Sequence, residues 1–108
     1  MRITYNKLVR DKIPNIIEKS GKTCKICVLD EESYKEALKQ KIIEEANEVA
    51  SSVTESDLIS EIGDVLELID ALKKAYHLSD DEVEMKKAKK AQSNGRFDKR
   101  LMLEYVDE

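Results

Sequence analysis

Apolar residues recur every three or four positions through two long stretches of this chain, with polar residues filling the places between them. Leu38, Ile42, Ala46, Val49 and Val53 form the first series; Leu58, Ile62, Val65, Ile69 and Leu72 form the second. That period belongs to amphipathic helices that bury one stripe. It predicts a helix from Asp30 or Ser33 to about Ser52. After the turn Thr54–Asp57, which offers N-cap candidates, it predicts another to about Tyr76. Ser79, Asp80, Asp81 and Glu82 have the form of a capping box and open a further helix, which ends near Ser93 where Asn94-Gly95 signals a turn. A shorter helix over about Asp11–Ser20 turns Ile13, Ile16 and Ile17 inward. Pro14 falls in its first turn, where a missing N–H costs little, and Gly21 stands just past its end. Alternation in TCKICVL (residues 23–29) and in the tail RLMLEYV (residues 100–106) reads instead as two short strands able to pair.

Composition supports the helical reading. The 108 residues are 39% charged, with no Trp, one Phe, three Gly and one Pro, too few turn formers for a sandwich or barrel. The length suits a single domain, residues 1–108. The formal net charge of −4 argues against general affinity for nucleic-acid polymers. Neither an apolar leader nor a run of the ~20 apolar residues needed to span a bilayer occurs, so a cytoplasmic protein is expected. Cys24 and Cys27 form a lone C-x-x-C with no second pair and no neighbouring His, which supports two reduced structural thiols over a zinc site.

The distribution of charge changes the picture. Residues 1–41 hold ten Lys/Arg and six acids, residues 42–70 hold nine acids and no Lys or Arg, and residues 71–108 hold nine cations and eight acids. Like charges three or four residues apart destabilise a helix by roughly 0.2–0.5 kcal/mol per pair, so an uninterrupted acidic stretch invites an external cation. On a wheel of ~100° per residue, Glu45 lies about 60° and Glu48 about 120° from the apolar stripe of their helix. Glu61 and Asp64 occupy the same two angles in the next helix. Antiparallel packing through a short loop brings such flanks together. Glu44 and Glu67 sit farther round toward solvent. Four carboxylates from two helices suit a hard, oxygen-ligated cation: Mg²⁺, with Mn²⁺ the alternative. The competing reading is an ordinary acidic solvated face. A di-iron bundle requires Glu-x-x-His motifs, and His77 is the only histidine.

These residues carry a resemblance. EEANE at 44–48, twelve further residues, then EIGD at 61–64 is similar to the E-E-x-x-E…E-x-x-D motif of the MazG-like, all-α nucleoside triphosphate pyrophosphohydrolases. YNKLVRDKIP at 5–14 and NGRFDKRL at 94–101 resemble the ends of a branch described as phosphoribosyl-ATP pyrophosphohydrolase-like. The pattern above amounts to an all-α bundle of about four helices with a minor two-stranded β element, and the resemblance implies such a helical bundle forming a homodimer or homotetramer with active sites near the subunit interfaces. It implies hydrolysis of the α–β phosphoanhydride bond of a nucleoside triphosphate to a monophosphate and pyrophosphate, as in the removal of non-canonical nucleotides. It also implies metal held by Glu45, Glu48, Glu61 and Asp64, with Glu44 an auxiliary acid orienting the attacking water.

Lys7, Arg10 and Lys12 lie in the matched opening segment and are candidates to contact the triphosphate, against a reading as plain surface charge. One or two of Arg96, Lys99 and Arg100 are weaker candidates to reach substrate or a neighbouring subunit. Tyr5, Tyr34, Tyr76 and Phe97 can stack on a base, although core packing is the commoner use of such residues. Two rival functions stand beside this one. The first is hydrolysis of phosphoribosyl-ATP in histidine biosynthesis. The second is a non-catalytic, Mg²⁺- and nucleotide-binding helical oligomer.

Overall fold

A computed structural model describes residues 1–108 and contains four helices and no strand. Helix α1 spans Ile13–Lys19, α2 Glu31–Ser51, α3 Glu55–Ala75 and α4 Asp80–Asn94. The class is all-α, as the periodicity predicts. No helix is long and apolar enough to cross a membrane. The chain divides into two compact units, residues 1–77 and 78–108.

Local chemistry sets the helix ends. Asp30 accepts the Ser33 N–H at 2.8 Å and Thr54 accepts the Asp57 N–H at 3.0 Å, so both long helices start on a side-chain cap. Ser79 and Glu82 form the full capping box of α4. Helix α1 closes with the paired bonds of a Schellman motif. The Gly21 N–H donates to the Glu18 carbonyl and the Lys22 N–H to the Ile17 carbonyl, with Gly21 at φ +87°, a conformation that costs glycine little.

In the first unit, α2 and α3 form an antiparallel hairpin joined by Ser52, Val53 and Thr54. Its one fully buried residue is Leu38, only 1% exposed. Ile42, Val49, Val65 and Leu72 are half-buried, but Val53 is exposed because it lies in the loop beyond the last turn of α2. Leu58, Ile62 and Ile69, expected in the buried stripe of α3, are exposed instead, because the single apolar arc of that helix, about 140° wide, exceeds what α2 covers. Ile59, Ile62, Leu66 and Ile69 repeat at spacings of three and four and stay 66%, 44%, 56% and 36% exposed.

The second unit consists of α4 and the segment after it. Gly95, at φ +85°, ends the helix and donates its N–H to the Ala91 carbonyl.

The two expected strands are absent. Residues 23–29 and 101–106 run as irregular, exposed chain. A two-stranded ladder is marginal unless another layer covers one face, and side chains on both sides of each segment remain open to solvent. Cys24 and Cys27 are therefore free thiols, as expected, but exposed and not packed.

Candidate functional site: a carboxylate cluster on the helix hairpin

Helices α2 and α3 place their acids by phase. Glu45 and Glu61 each lie about 60° from their apolar stripe, six residues either side of the loop-facing ends of α2 and α3, so the hairpin turns them toward one another. Carboxylate oxygens of Glu45, Glu61 and Asp64 all come within 4.8 Å of one another, and all three residues are half-buried. Glu48, one turn along α2, stands outside this triplet and is exposed. It shares the angle of Asp64, yet the two environments differ. Asp64 is bonded by the Arg10 guanidinium, whose Nη2 lies 2.8 Å from Oδ1 across 54 residues of sequence.

The electrostatics show the strain of this convergence. Glu61 is pushed above its ordinary value near 4.5, first by partial burial and then by a hydrogen bond to Glu45 and the charges of Glu45, Asp64 and Glu48. A carboxyl raised in this way is one that a bound cation would return to its charged form. The donor set is all carboxylate oxygen, three groups from two helices within reach of a single ion. That fits Mg²⁺, which takes one or two carboxylates and keeps water in its remaining positions. Glu45, Glu61 and Asp64 are the residues that would hold it, with Glu48 adjacent.

The acids are less isolated than the cation-free stretch implies. Lys41, one position before that stretch, lies 3.4 Å from Glu44 and 3.9 Å from Glu45. The i,i+4 rule was the signal that identifies it from sequence. Arg10 is the second compensating charge and has no local signal at all. Glu44 is thereby a partner of Lys41, outside the triplet. Lys7 and Lys12 are exposed and form no ion pair. Arg96 and Lys99 lie in the second unit, exposed in the segment after α4.

Among the aromatic candidates, Tyr76 carries the ammonium groups of Lys35 and Lys39 over its ring at 4.8 and 5.1 Å. Tyr34 is half-buried, whereas Tyr5 and Phe97 are exposed and pack into no core. In comparisons with known proteins, no family model, no curated protein and no solved structure matches the chain.

Proposed function

We propose that the protein is a MazG-like, Mg²⁺-dependent nucleoside triphosphate pyrophosphohydrolase, cleaving the α–β phosphoanhydride bond to give a monophosphate and pyrophosphate. The observation that carries this reading is the convergence of Glu45, Glu61 and Asp64 from two helices, with Arg10 bonded at the edge of the cluster. An ordinary solvated acidic face has no reason to half-bury three carboxylates against one another and raise one of them.

When bound there, a divalent ion would screen the polyphosphate and acidify an attacking water. The chain's own residues supply the rest. The three carboxylates fix the place of positive charge between α2 and α3. The Arg10 guanidinium, 61% exposed beyond its bond to Asp64, has further donors in the fork geometry that suits phosphate oxygens. Glu48, exposed one turn away, and Glu44, held by Lys41, are the acids left to accept a proton from water. Helix α3 supports an assembled form as well. An apolar arc wider than its partner helix covers needs a further layer in the working state, and Ile59, Ile62, Leu66 and Ile69, left exposed on that arc, are the surface this reading gives to a second copy of the chain.

The test is pyrophosphate release from a panel of canonical and modified nucleoside triphosphates, with phosphoribosyl-ATP included, in Mg²⁺ and in EDTA. Metal-dependent release lost in Asp64→Asn supports the proposal, and the rank of phosphoribosyl-ATP separates the biosynthetic alternative. A folded, Mg²⁺-binding sample that releases nothing from any substrate moves the reading to a non-catalytic binding oligomer.

A further inference from the structure

Beside the carboxylate triplet, the first unit has a groove of about 380 Å³ lined by Asp11, Tyr34, Glu67, Ala71, Lys74 and Ala75. Its volume is at the lower end of the ~300–1,000 Å³ typical of small-molecule sites. Its position follows from helical phase. Glu67, Ala71, Lys74 and Ala75 lie three, seven, ten and eleven residues past Asp64 and so share its side of α3. Tyr34 lies eleven residues before Glu45, which returns it to the same side of α2. Asp11 follows Arg10, the residue bonded to Asp64. The groove therefore starts about 4.5 Å along the α3 axis from the cluster, a step of the order of one sugar ring, and runs away from it.

The lining is specific in chemistry. Ala71 and Ala75 leave the α3 surface low, where a planar ring can approach the helix, and Tyr34 offers an aromatic face for stacking. Asp11 and Glu67 are acceptors only, and Lys74 is a donor only. None of the four polar side chains, Asp11, Tyr34, Glu67 or Lys74, makes a hydrogen bond or ion pair within the chain. A guanine ring presents a carbonyl acceptor next to two N–H donors, the complement of one ammonium and two carboxylates. Adenine and cytosine each offer a single exocyclic amino donor beside ring or carbonyl acceptors, which two carboxylates repel.

Resting on the nucleotide reading of the carboxylate cluster, we infer that this groove holds the base of the substrate and selects guanine. Tyr34 stacks on the ring, Glu67 and Asp11 accept from its N–H groups, and Lys74 donates to its carbonyl. The inference concerns recognition and not turnover, so it is tested by equilibrium binding. The full-length chain is titrated by calorimetry with the 5′-monophosphates of guanosine, adenosine, cytidine and uridine in Mg²⁺, in parallel with the pyrophosphate assay.

The expected result is tightest binding of the guanosine nucleotide by about tenfold or more, the worth of one charge-assisted hydrogen bond. Glu67→Ala, at an exposed helix position that leaves the fold intact, removes the acceptor and should remove most of that margin. Tyr34→Leu should weaken all four nucleotides together. Equal binding of the four, no binding of any, preference for another base, or a guanine margin that survives Glu67→Ala overturns the inference. Pyrophosphate release without base preference overturns the groove assignment and spares the reaction. Guanine preference without release does the reverse.

Discussion

Helix α2 and its partner α3 hold acids in similar numbers but use them in different ways. In the first half of α2 each acid has a lysine three or four residues on. Lys35 pairs with Glu31 and Glu32, and Lys39 with Glu36. In these pairs the glutamates stay exposed, and ion pairs of this kind contribute little to stability. In α3 no lysine appears before Lys73, so Glu61 and Asp64 take their partners from elsewhere: Glu45 across the hairpin and Arg10 from the N-terminal segment. Acids with a lysine on each turn form a solvated face in the first half of α2, whereas the cluster draws on α3 acids that have none. Glu45 alone of its three keeps one, Lys41 at 3.9 Å.

The comparison is broken most strongly by neutralising one acid on each side. Glu61→Gln should cut metal-dependent pyrophosphate release by more than ~100-fold, beyond the usual cost of disturbing a group that only supports a metal ligand. Glu36→Gln should change it less than twofold, measured in the same assay. Equal effects would erase the distinction between the two halves.

Stability separates them in another way. Leu38→Ala in the charge-balanced half should cost about 2–5 kcal/mol, because it empties the one fully buried position. Chemical denaturation reads this directly, while the Mg²⁺ affinity of the remaining folded molecules stays as it was.

Arg10→Gln sharpens the account of compensation. Removing the guanidinium frees Asp64 for a cation, so Mg²⁺ should bind several-fold more tightly by calorimetry while turnover falls. Unchanged affinity would show that Arg10 and the ion do not share Asp64.

A smaller effect is expected at Gly63, an interior residue of α3 between two of the clustered acids, where an added Cβ meets nothing within 4 Å. In dilute, metal-free protein, Gly63→Ala should raise stability by about 1 kcal/mol through helix propensity alone. A loss instead would reveal a second chain packed closely against α3 at that point.

The smallest effect is in pH. Asp30 is held below its ordinary value near 3.8, first by the Ser33 backbone N–H and then by the Ser33 side chain. Its stabilisation is complete above that ordinary value and lost as pH falls through the depressed one. Glu61 is raised, so its contribution has the opposite sign. It is complete below about 4.5 and lost as pH rises through the raised value. Thermal melts without metal from pH 3 to 7 should show Asp30→Asn flattening the loss of stability on the acid side and Glu61→Gln flattening the loss as pH rises above about 4.5. Matching profiles for both variants would contradict the opposed shifts.

The amino-acid sequence by itself determined the four helices, their ends to within about three residues (the expected turn at 55–57 is the first turn of α3) and the angle of each acid on its helix. These depend on bonds and caps that span three to five positions, as at Asp30, Thr54, Ser79 and Gly21. It misjudged residues 23–29 and 100–106, because alternation expresses a face that only a covering layer can use, and none lies over them. Only the tertiary structure decided which acids meet. Glu48 and Asp64 have the same phase, yet Asp64 joins the triplet under Arg10 and Glu48 faces solvent. The bond from Arg10 to Asp64 and the groove joining Asp11, Tyr34 and Glu67 close over more than twenty positions of sequence. No local period encodes such a meeting; it exists only once the hairpin has fixed which side of α2 lies against which side of α3.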